Sequence, residues 1–176
     1  SAKSGLKPGE VHEILFRSGL ETDFDLGRID ADTFAQKVIG QLGLKIEIEE
    51  VRKAWEAIFS PMEGMEELVK SLKNQYRLIL LSNTNPWHFE YCCRWFPFLK
   101  LFDASVLSYV LGCRKPDPEI YRKALVKAGQ APEECLYIDD VEAYVVAASE
   151  LGIKSICFHG VEPLKSELFA HGVLLA

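Results

Sequence analysis

No apolar run in this chain approaches the roughly 18 residues that a membrane-spanning helix needs. The opening SAKSGLKPGE also lacks the apolar core of a signal peptide. Neither a membrane nor a secretory route is therefore expected. Cysteine is missing from the patterns that would give it a structural role: Cys92, Cys93, Cys113, Cys135 and Cys157 are odd in number and include no C-x-x-C spacing. That argues against a disulfide framework and against a zinc site, and it fits a reducing cytoplasm. Positive charge is short as well. A formal net charge of -6 disfavours a protein that grips nucleic acid or anionic lipid over a broad face, so small soluble partners fit better. Internal repeats and low-complexity segments are absent too. What remains is an ordinary globular composition, 176 residues with 48% hydrophobic and 26% charged, enough for one domain with a small appendage.

The first third lacks strand-like runs and has helical spacing instead. Val11, Ile14 and Leu15 share one face, Phe34, Val38, Ile39 and Leu42 a second, and Val51, Trp55, Ile58 and Phe59 a third. Three helices are expected, the second capped by Asp30 or Asp32 and finished by Gly43, the third ending at Ser60-Pro61. From there strands and helices alternate: MEELVKSLKN, YRLILLS, NPWHFEYCCRWF, DASVLS, DPEIYRKALVKAG, CLYID, VEAYVVAASELG, KSICFH and PLKSELFAHG. Alternation with helices of ten or more residues predicts right-handed crossovers and a parallel sheet covered on both faces. The fold class is therefore α/β, a doubly wound parallel sheet, with residues 1–61 as a small helical cap and 62–176 as the α/β core.

In such sheets chemistry collects at the carboxyl ends of the strands, and three segments end there in polar residues. LILL runs into Ser82-Asn83-Thr84-Asn85 ahead of Pro86; a hydroxyl with amides at a helix start suits a phosphate, although plain capping is the simpler alternative. Gly112-Cys113-Arg114-Lys115-Pro116-Asp117-Pro118 holds Lys115 in a loop stiffened by two prolines, a fixed positive charge unless it is merely a solvated lysine. LYID ends in Asp139-Asp140, two adjacent carboxylates that need water, a cation or a partner. Mg²⁺ with oxygen ligands is the economical cation, and helix capping is the plainer alternative. Together the three pieces describe a site for phosphate bound with Mg²⁺.

These residues resemble the haloacid dehalogenase superfamily. LILLSNTN looks like its second motif, GCRKPDPEIY its third, and LYIDD with AASELGI its fourth. GRIDADTF and WEAIF resemble the cap of the branch containing α-D-glucose-1-phosphate phosphatase and the phosphatase domain of soluble epoxide hydrolase. The resemblance implies a Rossmann-like sheet and a Mg²⁺-dependent phosphatase of small phosphorylated metabolites that works through an aspartyl-phosphate. It implies that Ser82 and the Asn83 amide hold the phosphoryl oxygens, that Lys115 neutralises charge and positions the nucleophile, and that Asp140, with Asp139 beside it, ligates the metal.

The family's first motif, a D-x-D after a buried strand, has no counterpart here. Asp23-Phe24-Asp25 and Asp30-Ala31-Asp32 follow no buried strand and read as cap surface or helix starts. The missing strand and its D-x-D are expected upstream of Ser1, without which the chain itself would be inactive. Tyr144 stands where many relatives carry Asn or Asp. Two alternatives stay open: a catalytically incomplete binding or regulatory relative, and, ranked lower, a 2-haloacid dehalogenase. His88 is expected on a half-exposed helix face, Trp55, Trp87 and Trp95 in packing, and Cys92-Cys93 as buried filler.

Overall fold

In the computed structural model, residues 13–15 and 17–175 are described; Val11, placed on the first helix by its spacing, lies outside them. Residues 13–15 and 17 are helical. Then come α1 (Leu20–Asp25), α2 (Ala31–Gln41) and α3 (Ile48–Glu56). The Asp30 side chain accepts from the Thr33 amide at 2.8 Å, the cap expected for α2. A Glu47/Glu50 capping box starts α3. These helices close on one apolar cluster in which Phe24 stacks on Phe34 at 4.3 Å and the Trp87 ring meets Phe24 edge-on at 5.5 Å. Each such aromatic contributes roughly 1.5–3 kcal/mol by leaving water.

The α/β part runs α4 (Met65–Lys73), β1 (Ile79–Ser82), α5 (Pro86–Trp95), β2 (Ala104–Leu107), α6 (Ser108–Leu111) and α7 (Pro118–Ala128). It continues through β3 (Leu136–Asp139), α8 (Glu142–Ser149), β4 (Lys154–Cys157) and α9 (Val161–Ala170). β1 pairs in parallel with β2, Ser82 opposite Leu107, and β3 pairs in parallel with β4, Asp139 opposite Cys157. Helices cover both faces. Ile120, Tyr121 and Ala148 of α7 and α8 gather with Val106 and Ile153 on one side, while Leu68, Leu164 and Leu168 of α4 and α9 gather with Ile156 on the other. Along β3, Tyr137 joins the first cluster and Leu136 and Ile138 the second, the period-two alternation of a strand buried on both faces.

Among the described residues the parallel strands form two pairs, β1 with β2 and β3 with β4, with a cavity of about 610 Å³ between β1 and β3, and the α/β class stands as expected. Several details differ. The strands are four residues each, shorter than the apolar runs suggested. α1 is an additional helix, and α3 stops at Glu56, so Ile58 is exposed rather than on a helix face. Trp95, expected in packing, is 60% exposed at the end of α5. Asp25 and Phe24, expected at the cap surface, are buried.

Cap and core touch where Gly27 follows α1. Its φ is +65°, and a Cβ there would stand 2.2 Å from the Tyr109 carbonyl oxygen of α6. Gly27→Ala combines a left-handed backbone with a clash against main chain, and it is expected to lower stability by about 1–3 kcal/mol. A urea midpoint unchanged from the parent would contradict that contact.

Candidate active site

β1 and β3 both end at the same edge of the molecule, and the loop before α7 delivers Lys115 between them. The Lys115 ammonium donates to Asp139 Oδ2 at 2.6 Å and lies 3.4 Å from the Leu81 carbonyl oxygen, so one side chain ties the two strand ends together. It is no solvated lysine: its side chain is 9% exposed and that of Asp139 7%. The loop is clamped by Asn83, whose Oδ1 accepts from the Lys115 amide at 2.8 Å while its Nδ2 donates to the Lys115 carbonyl at 3.0 Å. A second clamp holds the chain after β1, where the Ser108 hydroxyl accepts from the Thr84 amide and donates to the Thr84 carbonyl, each at 2.9 Å. The two clamps fix the strand-end loops without using the Ser82 hydroxyl, which makes only a 3.4 Å contact to the Asn83 carbonyl.

Asp139 is fully engaged. Its Oδ1 accepts from the Val141 amide at 2.9 Å, and Oδ2 accepts from Lys115 and from the Tyr137 hydroxyl. Asp140, by contrast, is exposed. The paired acids therefore divide, one neutralised by an ammonium and one facing solvent. Among the described residues no group of three or more His, Cys, Asp or Glu side chains is gathered as a metal cluster. A Mg²⁺ ion commonly takes only one or two protein carboxylates and completes its shell with water and substrate phosphate, and the exposed Asp140 is the carboxylate at this edge that could supply one.

Sequence reasoning named Ser82, Asn83, Lys115, Asp139 and Asp140, and all five lie at this edge. It missed the two tyrosines that shape it. The Lys115 ammonium sits 5.1 Å from the centre of the Tyr144 ring, and the Tyr144 hydroxyl accepts from Asn83 Nδ2 at 3.3 Å. The departure from the family pattern at Tyr144 was the one signal available. Tyr137, read only as a strand residue, holds the Asp139 carboxylate.

A second polar group lies behind the loop, toward the cap. Asn85, fully buried, caps α5 through the His88 amide and donates from Nδ2 to Asp25 Oδ1 at 3.0 Å. Burial pushes the Asp25 carboxyl up, partly offset by the Asn85 hydrogen bond and by Arg114 and His88. His88 is pulled down by burial, and its Nε2 lies 3.0 Å from the Trp55 carbonyl, so both ring nitrogens have neighbours and it does not reach toward Lys115. Arg114 contacts the Thr22 hydroxyl of α1 at 3.3 Å.

Residues 13–152 match the family model described as haloacid dehalogenase-like hydrolase. The chain belongs to that family. Over 79% of its length it is 28% identical to the D-ribitol-5-phosphate phosphatase of Bacteroides thetaiotaomicron, and over 86% it is 27% identical to flavin mononucleotide hydrolase 1 of Arabidopsis thaliana. It spans 71% and 61% of those relatives' lengths. Among solved structures it is similar to a B. thetaiotaomicron family enzyme determined as a magnesium complex, with a TM-score of 0.78 and 28% identity, the match covering 92% of this chain and 87% of that one. A family hydrolase from Porphyromonas gingivalis gives 0.80 at 29%, covering 91% and 83%. An L-2-haloacid dehalogenase from Xanthobacter autotrophicus, 18% identical with a TM-score of 0.63 over 95% and 74% of the two chains, shares the fold alone.

The ion pair has a pH signature. Burial pushes the Asp139 carboxyl up, but hydrogen bonds from Lys115, Tyr137 and the Val141 amide outweigh it and hold the group below the ordinary carboxylate range. A depressed folded-state value contributes stability above the unfolded value of about 3.9, and that contribution is lost as pH falls through the folded value. Lys115→Met leaves the buried carboxylate without its cation. The expected loss at pH 7 is about 2–3 kcal/mol, below the cost for a fully enclosed pair because this one sits at the rim of the sheet. Urea unfolding of both proteins should show the difference shrinking below about pH 4, and equal midpoints at pH 7 would contradict the assignment.

Proposed function

We propose that the protein is a Mg²⁺-dependent phosphatase of small phosphorylated metabolites. The observation that carries the reading is the buried Lys115 ammonium, fixed between the Leu81 carbonyl of β1 and the Asp139 carboxylate that ends β3. Phosphoryl transfer asks mainly for positioning and for positive charge where the transferring oxygens crowd. Lys115 supplies that charge, and its loop cannot drift because Asn83 holds both its amide and its carbonyl. Ser82 and the Asn83 amide hold phosphoryl oxygens. Bound Mg²⁺, held by Asp140 with Asp139 beside it, would further neutralise the phosphate. The relatives named for D-ribitol 5-phosphate and flavin mononucleotide support a small phosphorylated substrate.

The resemblance to the family implies a reaction through an aspartyl-phosphate, in which a carboxylate attacks phosphorus, the ester oxygen departs with a proton from a second acid, and water then releases phosphate. A second reading, a catalytically incomplete binding protein, draws on the Lys115–Asp139 pair, which already neutralises itself within the described residues.

In active protein, Asp140→Asn should abolish metal-dependent hydrolysis of an aryl phosphate while leaving the circular dichroism spectrum intact. Lys115→Met should lower kcat/KM by about a hundredfold or more. Turnover that is the same with and without a chelator in the unmutated protein would sink the metal assignment, and a less than roughly threefold effect of Lys115→Met would favour the second reading.

A further inference from the structure

Tyr144 belongs to α8, just after the paired acids, yet its contacts run to Lys115 and to the residue that clamps it. Its ring centre lies 5.1 Å from the Lys115 ammonium, inside the roughly 6 Å at which an aromatic face attracts a cation. Its hydroxyl accepts from Asn83 Nδ2 at 3.3 Å, and the same Nδ2 donates to the Lys115 carbonyl at 3.0 Å. Ring and hydroxyl therefore act on the head and, through Asn83, on the main chain of one lysine. Tyr144 is itself held. Tyr121, fully buried, donates its hydroxyl to the Tyr144 carbonyl at 2.9 Å, and its ring meets Tyr137 edge-on at 5.4 Å. Tyr137 in turn donates to Asp139 Oδ2, the oxygen that also receives the Lys115 ammonium. The contacts close a circuit from Lys115 through Tyr144, Tyr121, Tyr137 and Asp139 back to Lys115.

A lysine head carries three N–H donors on a flexible stem. Leu81 and Asp139 take two of them, which leaves one for a phosphate oxygen. The Leu81 contact is long, at 3.4 Å, so the Asp139 bond alone would let the head pivot and turn that last donor away. A ring fixed against the ammonium restricts the pivot, and being neutral it does so without cancelling the charge. We propose that Tyr144 is a positioning residue for phosphoryl transfer, its ring aiming the free donor of Lys115 at the phosphate and its hydroxyl steadying the Asn83 clamp. This deepens the phosphatase reading and rests on it for the identity of the anion. Because charge on the transferring oxygens is met most tightly in the transition state, and a displacement of about 1 Å can cost about a hundredfold in rate, the ring should act on kcat more than on KM.

Tyr144→Phe keeps the ring and Tyr144→Leu removes it. By NMR, the ε-methylene protons of Lys115, assigned by their absence in Lys115→Met, are expected upfield of ordinary lysine resonances in the parent and in Tyr144→Phe, and at the ordinary position in Tyr144→Leu. With an aryl phosphate and Mg²⁺, Tyr144→Leu should lower kcat by about tenfold or more while KM moves less than about threefold, and Tyr144→Phe should stay within about threefold of the parent in both. A residue that merely packs would lower the Tm of Tyr144→Leu and leave the Lys115 resonances and the kcat of the folded protein unmoved. Ordinary Lys115 resonances in the parent, a kcat for Tyr144→Leu equal to the parent's, or a loss in Tyr144→Phe as large as that in Tyr144→Leu overturns the proposal. Ring-dependent Lys115 resonances that move further on adding inorganic phosphate with Mg²⁺, with no hydrolysis by any of the three proteins, support the positioning role and overturn the phosphatase reading.

Discussion

One ammonium holds this architecture to its chemistry. Lys115 reaches the Leu81 carbonyl near the end of β1 and the last side chain of β3, and it lies over the Tyr144 ring. A charge placed where two parallel strands end, with little exposure, is costly unless it is paired. Asp139 pairs it, and the Tyr137 hydroxyl and Val141 amide then satisfy the oxygens that the lysine leaves over. Asp140, by contrast, faces solvent beside the pair.

The arrangement depends on loops that are held rather than merely short. Asn83 and Ser108 each make two hydrogen bonds to main chain across the strand ends, so the loops after β1 and before α7 are registered against one another. Behind them the buried Asn85 links the α5 cap to Asp25 in α1, and Trp87 inserts from α5 into the cap cluster. The helix that begins just after the end of β1 is therefore the same one that anchors the cap.

Much of this was legible in the sequence, for identifiable reasons. Strands bounded by polar residues give away the edge at which chemistry collects, and the two prolines that follow Lys115 marked a stiff loop. The five residues named from those signals do gather. What escaped depended on partners distant in sequence. Asp25 looked like surface because the Asn85 that shelters it lies 60 residues on. Tyr137 and Tyr144 carried no motif, and only the packed structure turns their hydroxyls toward Asp139 and Asn83. α1, six residues long, is too short for a helical period to declare itself, and periodicity placed Trp95 on a helix without telling which side of that helix faces water. Apolar runs also overstated the strands, since strand length is set by where a neighbour is available to pair.

The central claim is that Lys115 and Asp139 form a buried pair at the meeting of the strands. Titration of the Asp139 side-chain carboxyl carbon by NMR in isotopically labelled protein tests it most directly. The account predicts a midpoint below the value of about 3.9 for an unperturbed aspartate. A midpoint at or above that value would mean that burial outweighs the lysine, and it would contradict the pairing from which the site is built.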